Sequence, residues 1–415
     1  MKIVRPTCCG IDVHKSVLVA TIASTGTYGS AAYEQRSFST LNPDLVRLRD
    51  WLVERGCPDV CMESTGKYWI PVFNVLEGHV RVVVTHPKYV RAIKGKKTDK
   101  KDSRWIADLF RHDLVRTSFI PPREFRECRE IARYRWKLVC MRSSEKNRYQ
   151  NCMTVSNIGL GSVLSDCTGV TARAIMADIA SGEPFDEGRI RSLIRGRARA
   201  KADQVVDSVR DCRVDDAQRF KIAQATDHIG ILDSMVAACE AELRERLGPH
   251  WGAVELLCTI PGVSELSAML ILSETGVDMS VFEDADHFAS WAGLAPGCNE
   301  SAGKKKSSRV TKAGQYLKPV LTQCALAASK SKSEDYFAGK FRRIKARRGH
   351  KRAIVAVARM MAVCIWHMLS TGEVFSPSDL DGPVRAAGRP ALTEQSALEL
   401  LRGMGYDITA PGDDA

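Results

Sequence analysis

The alternation of short β-branched runs with helical segments between residues 9 and 87 constrains the fold of this chain more than any other feature. Four runs have the composition of strands: 9–24, 31–40, 59–65 and 81–87. The first is long enough for two strands around a polar turn. Leucine spacing predicts a helix at 43–56, and a shorter helix is predicted at 67–78. Strands that alternate with helices place this region in the α/β class.

Long helices replace this pattern from about residue 123. A coiled-coil-like seam is predicted within 216–247 from apolar residues spaced three, four, three and four: Ile229, Leu232, Val236, Cys239 and Leu243. Residues 123–150 are its predicted antiparallel partner. Between the two lies a polar, partly helical stretch, 160–215, which contains the basic run RIRSLIRGRARAK.

Four regions are therefore expected along the chain. An α/β domain occupies 1–122, and a long-helix, coiled-coil-like region at 123–250 carries an insert at about 160–215. A mostly α-helical domain follows at 251–375. A tail at 376–415, rich in Pro, Gly and acidic residues, is expected to be loosely attached and to hold one short helix.

The charge balance points to a polyanionic partner. Lys and Arg number 61 against 49 Asp and Glu, a net charge of +12. An excess of this kind is most often found in nucleic-acid-binding proteins, although a soluble protein can also simply be basic. Fourteen cysteines are scattered without a C-x-x-C pair, which argues against a zinc site and favours free thiols in a reducing cytosol.

One apolar stretch, 353–369, raises the question of a membrane span. It contains Arg359 and His367 and is shorter than the roughly 20 clean residues that a span needs. We expect a buried helix and no membrane partner.

Four acidic residues stand out against their surroundings. Asp12 lies within the first predicted strand and Glu63 at the end of another, where acids are disfavoured. Asp99 and Asp102 are spaced to share one face of a helix expected to run to about residue 114. If folding brings the four together, they suit two Mg²⁺ ions about 4 Å apart, the arrangement of two-metal phosphoryl transfer. Nearby lysines would then contact phosphates: Lys94, Lys96, Lys97, Lys100 and Lys101.

A structural role for these acids is an open alternative. Asp99 and Asp102 lie near a helix start, where the helix dipole favours acids and Thr98 could be the N-cap. Asp12 could be an ordinary turn acid.

Three separated motifs carry a family resemblance. GIDVHK, MESTGKYWIPVFNVLEG and THPKYVRAIKGKKTDKKDSRWIADL, in that order, resemble the DEDD transposases of one class of bacterial insertion sequences. The resemblance implies an N-terminal RuvC-like domain of RNase H fold, with Asp12, Glu63, Asp99 and Asp102 as its catalytic, magnesium-binding acids. It covers roughly 1–125 and 250–370.

The same family has a C-terminal domain with a nucleophilic serine. LLCTIPGVSELSAMLILSETG (256–276) is similar to its helix-hairpin-helix-like opening, and GLAPGCNESAGKKKSSRVTKAGQYL (293–317) is similar to its serine segment. The alignment makes Ser301 the nucleophile, with Ser307 and Ser308 as alternatives. The resemblance implies that this serine attacks a phosphate and holds the DNA end as a phosphoserine ester. Neighbouring basic residues would hold phosphates: Lys304, Lys305, Lys306, Arg309 and Lys312.

A second basic run, GKFRRIKARRGHKR (339–352), predicts either a solvated helix face or a nucleic-acid contact, and beside a recombinase site we favour the latter. The residues expected to bind are Arg342, Arg343, Arg347 and Arg348. The resemblance further implies a structured guide, the bridge RNA, which would read target and donor by base pairing.

The sequence thus predicts a Mg²⁺-dependent DNA recombinase that moves its own insertion element. The family resemblance implies a dimer of dimers that acts on DNA in the bacterial cytoplasm, at the nucleoid. One alternative is a RuvC-like junction endonuclease that uses the same acids with water as nucleophile. Another is a basic architectural DNA-binding protein with no enzymatic activity.

Overall fold

The computed structural model describes the chain in segments: 2–26, 30–64, 66–90, 99–297, 299–301, 304–307, 309–331 and 336–377. Within them, the side chains of 99, 100, 299–301 and 304–307 lie outside the described set. The chain divides into two compact units, the first ending at Pro121 and the second beginning at Pro122.

A five-stranded mixed sheet forms the centre of the first unit. Its strands are β1 Thr7–Val13, β2 Val17–Thr25, β3 Ala31–Ser39, β4 Asp59–Glu63 and β5 Arg81–Thr85. Their order is β3-β2-β1-β4-β5; β2 is antiparallel to β1 and β3, whereas β4 is parallel to β1 and β5. Four helices accompany the sheet: α1 Asn42–Glu54, α2 Trp69–Leu76, α3 Pro87–Val90 and α4 Asp99–Arg111.

The two faces of this sheet carry separate cores, since alternate side chains of a strand point to opposite faces. Ile11 and Met62 belong to the core that includes the apolar faces of α1 and α2. Cys8 and Cys61 belong to the other core, which includes Ile106 of α4. Even-numbered residues of β1 and odd-numbered residues of β4 therefore share the face that α4 covers.

The second unit is mostly helical. Its helices are α5 Arg123–Val155, α6 Leu160–Val163, α7 Val170–Ser181, α8 Glu187–Leu193, α9 Ala202–Asp207, α10 Asp216–Arg246, α11 Trp251–Cys258, α12 Glu265–Thr275, α13 Ala285–Trp291, α14 Leu317–Ser329, α15 Tyr336–Arg348 and α16 His350–Thr371. A two-stranded hairpin, β6 Asn299–Ser301 with β7 Lys304–Ser307, interrupts them. Short 3-10 helices lie at Gly196–Lys201 and Gly248–His250. The α/β first unit and mostly helical second unit confirm the predicted fold class.

The long helices α5 and α10 pack against each other and run antiparallel. Arg135 of α5 pairs with Glu240 of α10 at 2.6 Å, and Arg142 pairs with Asp233 at 2.7 Å, so the numbering rises on one helix as it falls on the other. Four of the five predicted seam residues are buried, and Cys239 is partly buried.

The stretch 160–215 contains more structure than its polar composition predicts. Short helices enclose a core that includes Ile175, Met176, Ile190 and Val205, all nearly inaccessible to solvent. The ends of α5 and α10 contribute to the same core. Because each helix is short, its few apolar residues form no period that is recognisable in the sequence.

The helix α16 is the one described helix that is long and apolar enough to cross a membrane, with a mean hydropathy of 1.7 over its most apolar window. Half of that window is buried inside the protein. Ala353, Val357 and Met361 are fully buried, and Arg359 pairs with Asp286 of α13 at 2.8 Å. This environment is that of a core helix.

Candidate active site

Two of the predicted acids lie on adjacent parallel strands at the same edge of the sheet. The register pairs Ile11 of β1 with Met62 of β4, so the next residues, Asp12 and Glu63, lie beside each other at the carboxyl ends of these strands. By strand alternation, both belong to the face that α4 covers. Asp12 is 7% exposed, which is unusual for a carboxylate at the end of a strand.

A glycine sets how closely α4 approaches this face. A Cβ atom at Gly10 would lie 2.3 Å from the Ala107 amide nitrogen and 2.3 Å from the Ser103 carbonyl oxygen. These are backbone atoms and cannot rotate away. The hydrogen atom of glycine therefore lets the helix backbone rest directly on β1.

The direction of α4 places its acidic end toward Asp12. Near the start of β1, the Val4 amide donates to the Arg111 carbonyl oxygen at the end of the helix. Further along, Gly10 lies against Ser103. As β1 advances toward Asp12, its contacts move toward the first residue of α4, so the helix runs antiparallel to the strand.

The other two predicted acids lie at the start of this helix. Asp99 is the first residue of α4, one turn before Ser103, and Asp102 lies within the same turn. The Asp102 side chain is half-buried, and that of Asp99 lies outside the described set. The helix ends at Arg111, earlier than the predicted residue 114, and Asp113 follows it with a positive φ of 60°.

A buried polar cluster, which sequence reasoning missed, links α4 to the sheet. The hydroxyl groups of Thr21 and Ser103 are 2.8 Å apart, and the Gln35 amide donates to both, at 2.7 and 3.1 Å. Ser103 and Thr21 are inaccessible to solvent, so these bonds satisfy groups that water cannot reach. The cluster joins β2, β3 and α4 and fixes the rotation of the helix.

Sequence reasoning also missed His14. Its Nε2 atom lies 3.3 Å from a carboxylate oxygen of Asp12, and the ring is about half exposed at the same edge of the sheet. The motif GIDVHK contains the signal, because a histidine two residues after a strand-end acid projects from the same face.

The donors at this edge fit a hard divalent cation. Carboxylate oxygens are the ligands that Mg²⁺ prefers, and a buried acid beside a second acid suits a positive charge between them. Among the side chains that the structure describes, which do not include that of Asp99, no three His, Cys, Asp or Glu groups form a metal-binding cluster. The structure therefore brings Asp12 and Glu63 together at this edge and does not bring the described Asp102 side chain into one cluster with them, so the fit rests on the strand-end pair.

The second unit presents Ser301 on a hairpin. Ser301 ends β6 and pairs in register with Lys304 of β7. Two contacts close the base of the segment that carries this hairpin. Pro296 and Val310 form an isolated β-bridge, and the Gly297 amide donates a hydrogen bond to the Arg309 carbonyl oxygen.

Two glycines allow this closure. A Cβ at Gly293 would lie 2.1 Å from the Ala313 carbonyl oxygen, and one at Gly314 would lie 2.0 Å from the Ala292 carbonyl oxygen. Both have positive φ, at 72° and 66°. The GLAP and TKAG segments therefore pack backbone against backbone and hold the serine hairpin between them.

The predicted nucleic-acid contacts divide into exposed and undescribed residues. Lys101, Arg309 and Lys312 are exposed, as are the four arginines of α15. The other predicted contacts lie outside the described residues or their side chains do: Lys94, Lys96, Lys97, Lys100, Lys304, Lys305 and Lys306. Of the alternative serines, Ser307 is described only in its backbone, and Ser308 is outside the described residues.

The first unit is an RNase H-like domain by its strand order, its mixed pairing and the helix that crosses its acidic edge. Comparison with protein families agrees. Residues 9–157 match a transposase family of the DEDD, IS110 type, and residues 254–338 match the transposase family IS116/IS110/IS902.

Two relatives share part of this sequence. An uncharacterized 42 kDa protein of insertion element IS900 from Mycobacterium paratuberculosis is 30% identical over 162 residues, which are 38% of this chain and 39% of that protein. The transposase candidate y4pF/y4sB of Sinorhizobium fredii is 28% identical over 130 residues, 30% of this chain and 33% of that protein. The matched segments span well under half of each relative. On the two family matches, the chain belongs to the IS110 family of insertion-sequence transposases.

Proposed function

We propose that this chain is a DNA transposase that cuts and rejoins DNA at the ends of its own insertion element. The observation that carries the proposal is that Asp12 and Glu63 directly follow the paired residues Ile11 and Met62 at one sheet edge, on the face that α4 covers. An RNase H-like domain with acids at these positions suits phosphoryl transfer. Membership of a transposase family names the substrate class as DNA.

Asp12, Glu63, Asp99 and Asp102 are the residues that would hold Mg²⁺, two ions to a site. When bound, the metal would withdraw charge from the scissile phosphate. The protein's contribution is to hold the carboxylates in place. The close seat of α4 on Gly10 and the buried hydroxyl cluster around Ser103 support that role.

Ser301 is the proposed nucleophile. Its Oγ atom would form a bond to phosphorus while the bond from phosphorus to the leaving oxygen breaks, and the serine proton would pass to that oxygen. The product is a phosphoserine ester and a free hydroxyl end. One phosphate ester replaces another, so attack by a second DNA hydroxyl can reverse the step without an outside energy source.

The exposed arginines of α15 suit the role of holding the backbone of a nucleic acid. Arg342, Arg343, Arg347 and Arg348 form no ion pair within the described residues, and Phe337 and Phe341 anchor the opposite side of the helix in the core. We propose that DNA ends and target occupy such surfaces, and that a structured bridge RNA supplies sequence choice by base pairing.

We further propose that the working form is a dimer of dimers in the bacterial cytoplasm, at the nucleoid. Apolar side chains on the long helices support association: Met141 of α5, and Phe220 and Ile231 of α10, are at least half exposed. In this arrangement the acids of one subunit would serve the serine of another.

The decisive experiment incubates purified protein with labelled element ends, the matching bridge RNA and Mg²⁺. Denaturing gels then show whether a covalent protein–DNA species forms. Asp12→Asn should lower its formation by at least about a hundredfold, because it removes one charged ligand. Asp50→Asn, which alters an exposed acid of α1, should leave it unchanged.

Ser301→Ala separates the transposase from its alternatives. If Ser301 is the nucleophile, Ser301→Ala abolishes the covalent protein–DNA species and Ser307→Ala retains it. A junction endonuclease that uses water would keep cutting after Ser301→Ala. An architectural protein would show no Mg²⁺ requirement at all, and Asp12→Asn would leave its DNA binding unchanged or tighter.

A further inference from the structure

The helical stretch 160–215 contains a cavity of about 500 Å³. One wall is formed by residues 163–166 and the start of α7, and the other by the segment Arg195–Lys201. Both walls belong to the second unit and are described throughout. None of the roles proposed above uses this cavity.

The rim of the cavity is cationic. Arg195, Arg197 and Lys201 line it and are exposed, whereas Asp166 is the one acid among the lining residues. That carboxylate accepts hydrogen bonds from the backbone amide and hydroxyl of Thr168, both at 2.8 Å, and these bonds lower the pKa of Asp166. Three basic side chains against this one carboxylate leave the rim with a net positive charge.

Arginine pairing within this stretch is selective. Its other arginines include several that bind acids: Arg173 with Asp233, Arg189 with Asp178, Arg191 with Glu187 and Asp203, and Arg210 with Glu187. The guanidinium groups of Arg195 and Arg197 form no ion pair or hydrogen bond with any described residue. Arg213, which is also exposed and forms no side-chain ion pair or hydrogen bond with a described residue, lies outside the cavity, so two of the three unpaired arginines of this stretch line it.

Hydrogen bonds on either side of Arg197 tie the segment that carries both arginines to the facing wall. The Arg195 amide donates to the Thr171 hydroxyl at 3.0 Å, and Ile194 beside it is buried. Lys201 donates to the Val163 carbonyl oxygen at 3.3 Å, which ties one wall to the other. A segment backbone that is already held in place limits the entropy cost of binding to the ordering of the exposed arginine side chains.

We propose that this cavity binds the phosphodiester backbone of a nucleic acid, with Arg195 and Arg197 as its phosphate contacts. The proposal rests on the proposed function, which requires nucleic acid, and assigns a role to a part of the chain that it leaves unused. No aromatic side chain lines the cavity, so base stacking is not expected. Binding here should depend on charge and strand shape and be indifferent to base sequence.

The test measures affinity by fluorescence anisotropy across a series of salt concentrations, with the full chain and with Arg195→Gln/Arg197→Gln. Probes are single-stranded DNA, duplex DNA, single-stranded RNA and hairpin RNA of equal length. Loss of two phosphate contacts should flatten the slope of log affinity against log salt by about 1.8 for a duplex or about 1.4 for a single strand. The probe that shows the change identifies the nucleic acid.

Two further variants control the measurement. Arg195→Lys/Arg197→Lys retains the charge and should keep most of the slope, and it also shows that the segment tolerates substitution. Arg191→Gln alters an arginine already paired with acids and should leave the slope unchanged.

The outcomes separate this inference from the proposed function. If the wild-type chain binds every probe with the same affinity and salt dependence as the Gln double variant, the cavity does not contact nucleic acid. The proposed transposase function would still stand. If the wild-type chain binds none of the probes, the cavity proposal and the proposed function fail together.

Discussion

Gly10 of β1 faces the backbone of Ala107 in α4 so closely that any side chain at this position would overlap it: a Cβ would lie 2.3 Å from the Ala107 nitrogen. The contact lies two residues before Asp12, on the same face of the strand. Strand, helix and candidate metal ligands are thus coupled through one glycine. A change there should affect the acidic edge without altering any acid.

Gly10→Ala should displace α4 and lower the stability of the first unit by about 1–3 kcal/mol or more, because overpacking against backbone cannot be relieved by rotation. Hydrogen exchange should show lost protection in residues 99–111, and covalent-adduct formation should fall. Gly230→Ala is the control, since a Cβ there meets nothing within 4 Å and alanine favours the α10 helix. Equal protection of α4 in both variants would contradict the prediction.

Ser103→Ala should cost about 1–3 kcal/mol of stability, because it leaves the buried Thr21 hydroxyl without one of its partners. Urea unfolding would measure the loss. Ser143→Ala removes an exposed serine that bonds only the Val139 carbonyl oxygen within its own helix, and it should change stability little. If Ser103→Ala leaves the free energy of unfolding unchanged, the cluster does not hold α4 in place.

The fold of the first unit is predictable because its signals are local. β-branched runs such as RVVVT, and leucines spaced for a helix at 43–56, need no knowledge of the rest of the chain. Asp12 and Glu63 also stand out locally, as acids in apolar strands. Their pairing follows once β1 and β4 are taken to be parallel neighbours.

The parts that escaped prediction depend on contacts between distant segments. From the sequence alone, Gly10 predicts only a weakened strand. The need for glycine at this position is seen only when α4 packs against β1. Gly293 and Gly314 likewise acquire meaning only when their two loops meet. The core of 160–215 was missed because Ile175 and Val205 lie on different short helices, each too short to show a period.

An ion-pair cluster in the second unit supports a third prediction. Glu274 of α12, nearly buried, binds Arg133 of α5 through two hydrogen bonds of 2.8 Å and also lies 3.4 Å from Arg129. Burial lowers the pKa of Arg129 to about 10, which still leaves it charged at neutral pH. Glu274→Gln would leave two arginines without their counter-charge.

We expect Glu274→Gln to destabilise the second unit by about 3–5 kcal/mol, the range typical of breaking one side of a buried pair. Thermal unfolding would show it as a lower midpoint. Glu283→Gln, at an exposed acid 3.7 Å from His287, should shift the midpoint very little. A similar small shift for both variants would show that the cluster adds no stability.

Buried thiols make the first unit sensitive to alkali. Burial raises the pKa of the Cys8, Cys57 and Cys61 thiols to about 12, from about 9 in the unfolded chain. Between those values the unfolded chain releases protons that the folded unit retains, so stability is full below about pH 9 and falls as the pH rises toward 12.

Urea midpoints measured from pH 8 to pH 10.5 should therefore decline above about pH 9, and Cys61→Ala should make the decline shallower by removing one of the contributing thiols. Cys140→Ser, at an exposed cysteine of α5, should leave the profile unchanged. Alkylation at pH 8 followed by peptide mapping gives an independent measurement, with Cys140 modified well before Cys8, Cys57 or Cys61, because reaction requires both access and the thiolate. Early modification of Cys61 in the native protein would contradict the burial on which the pH profile depends.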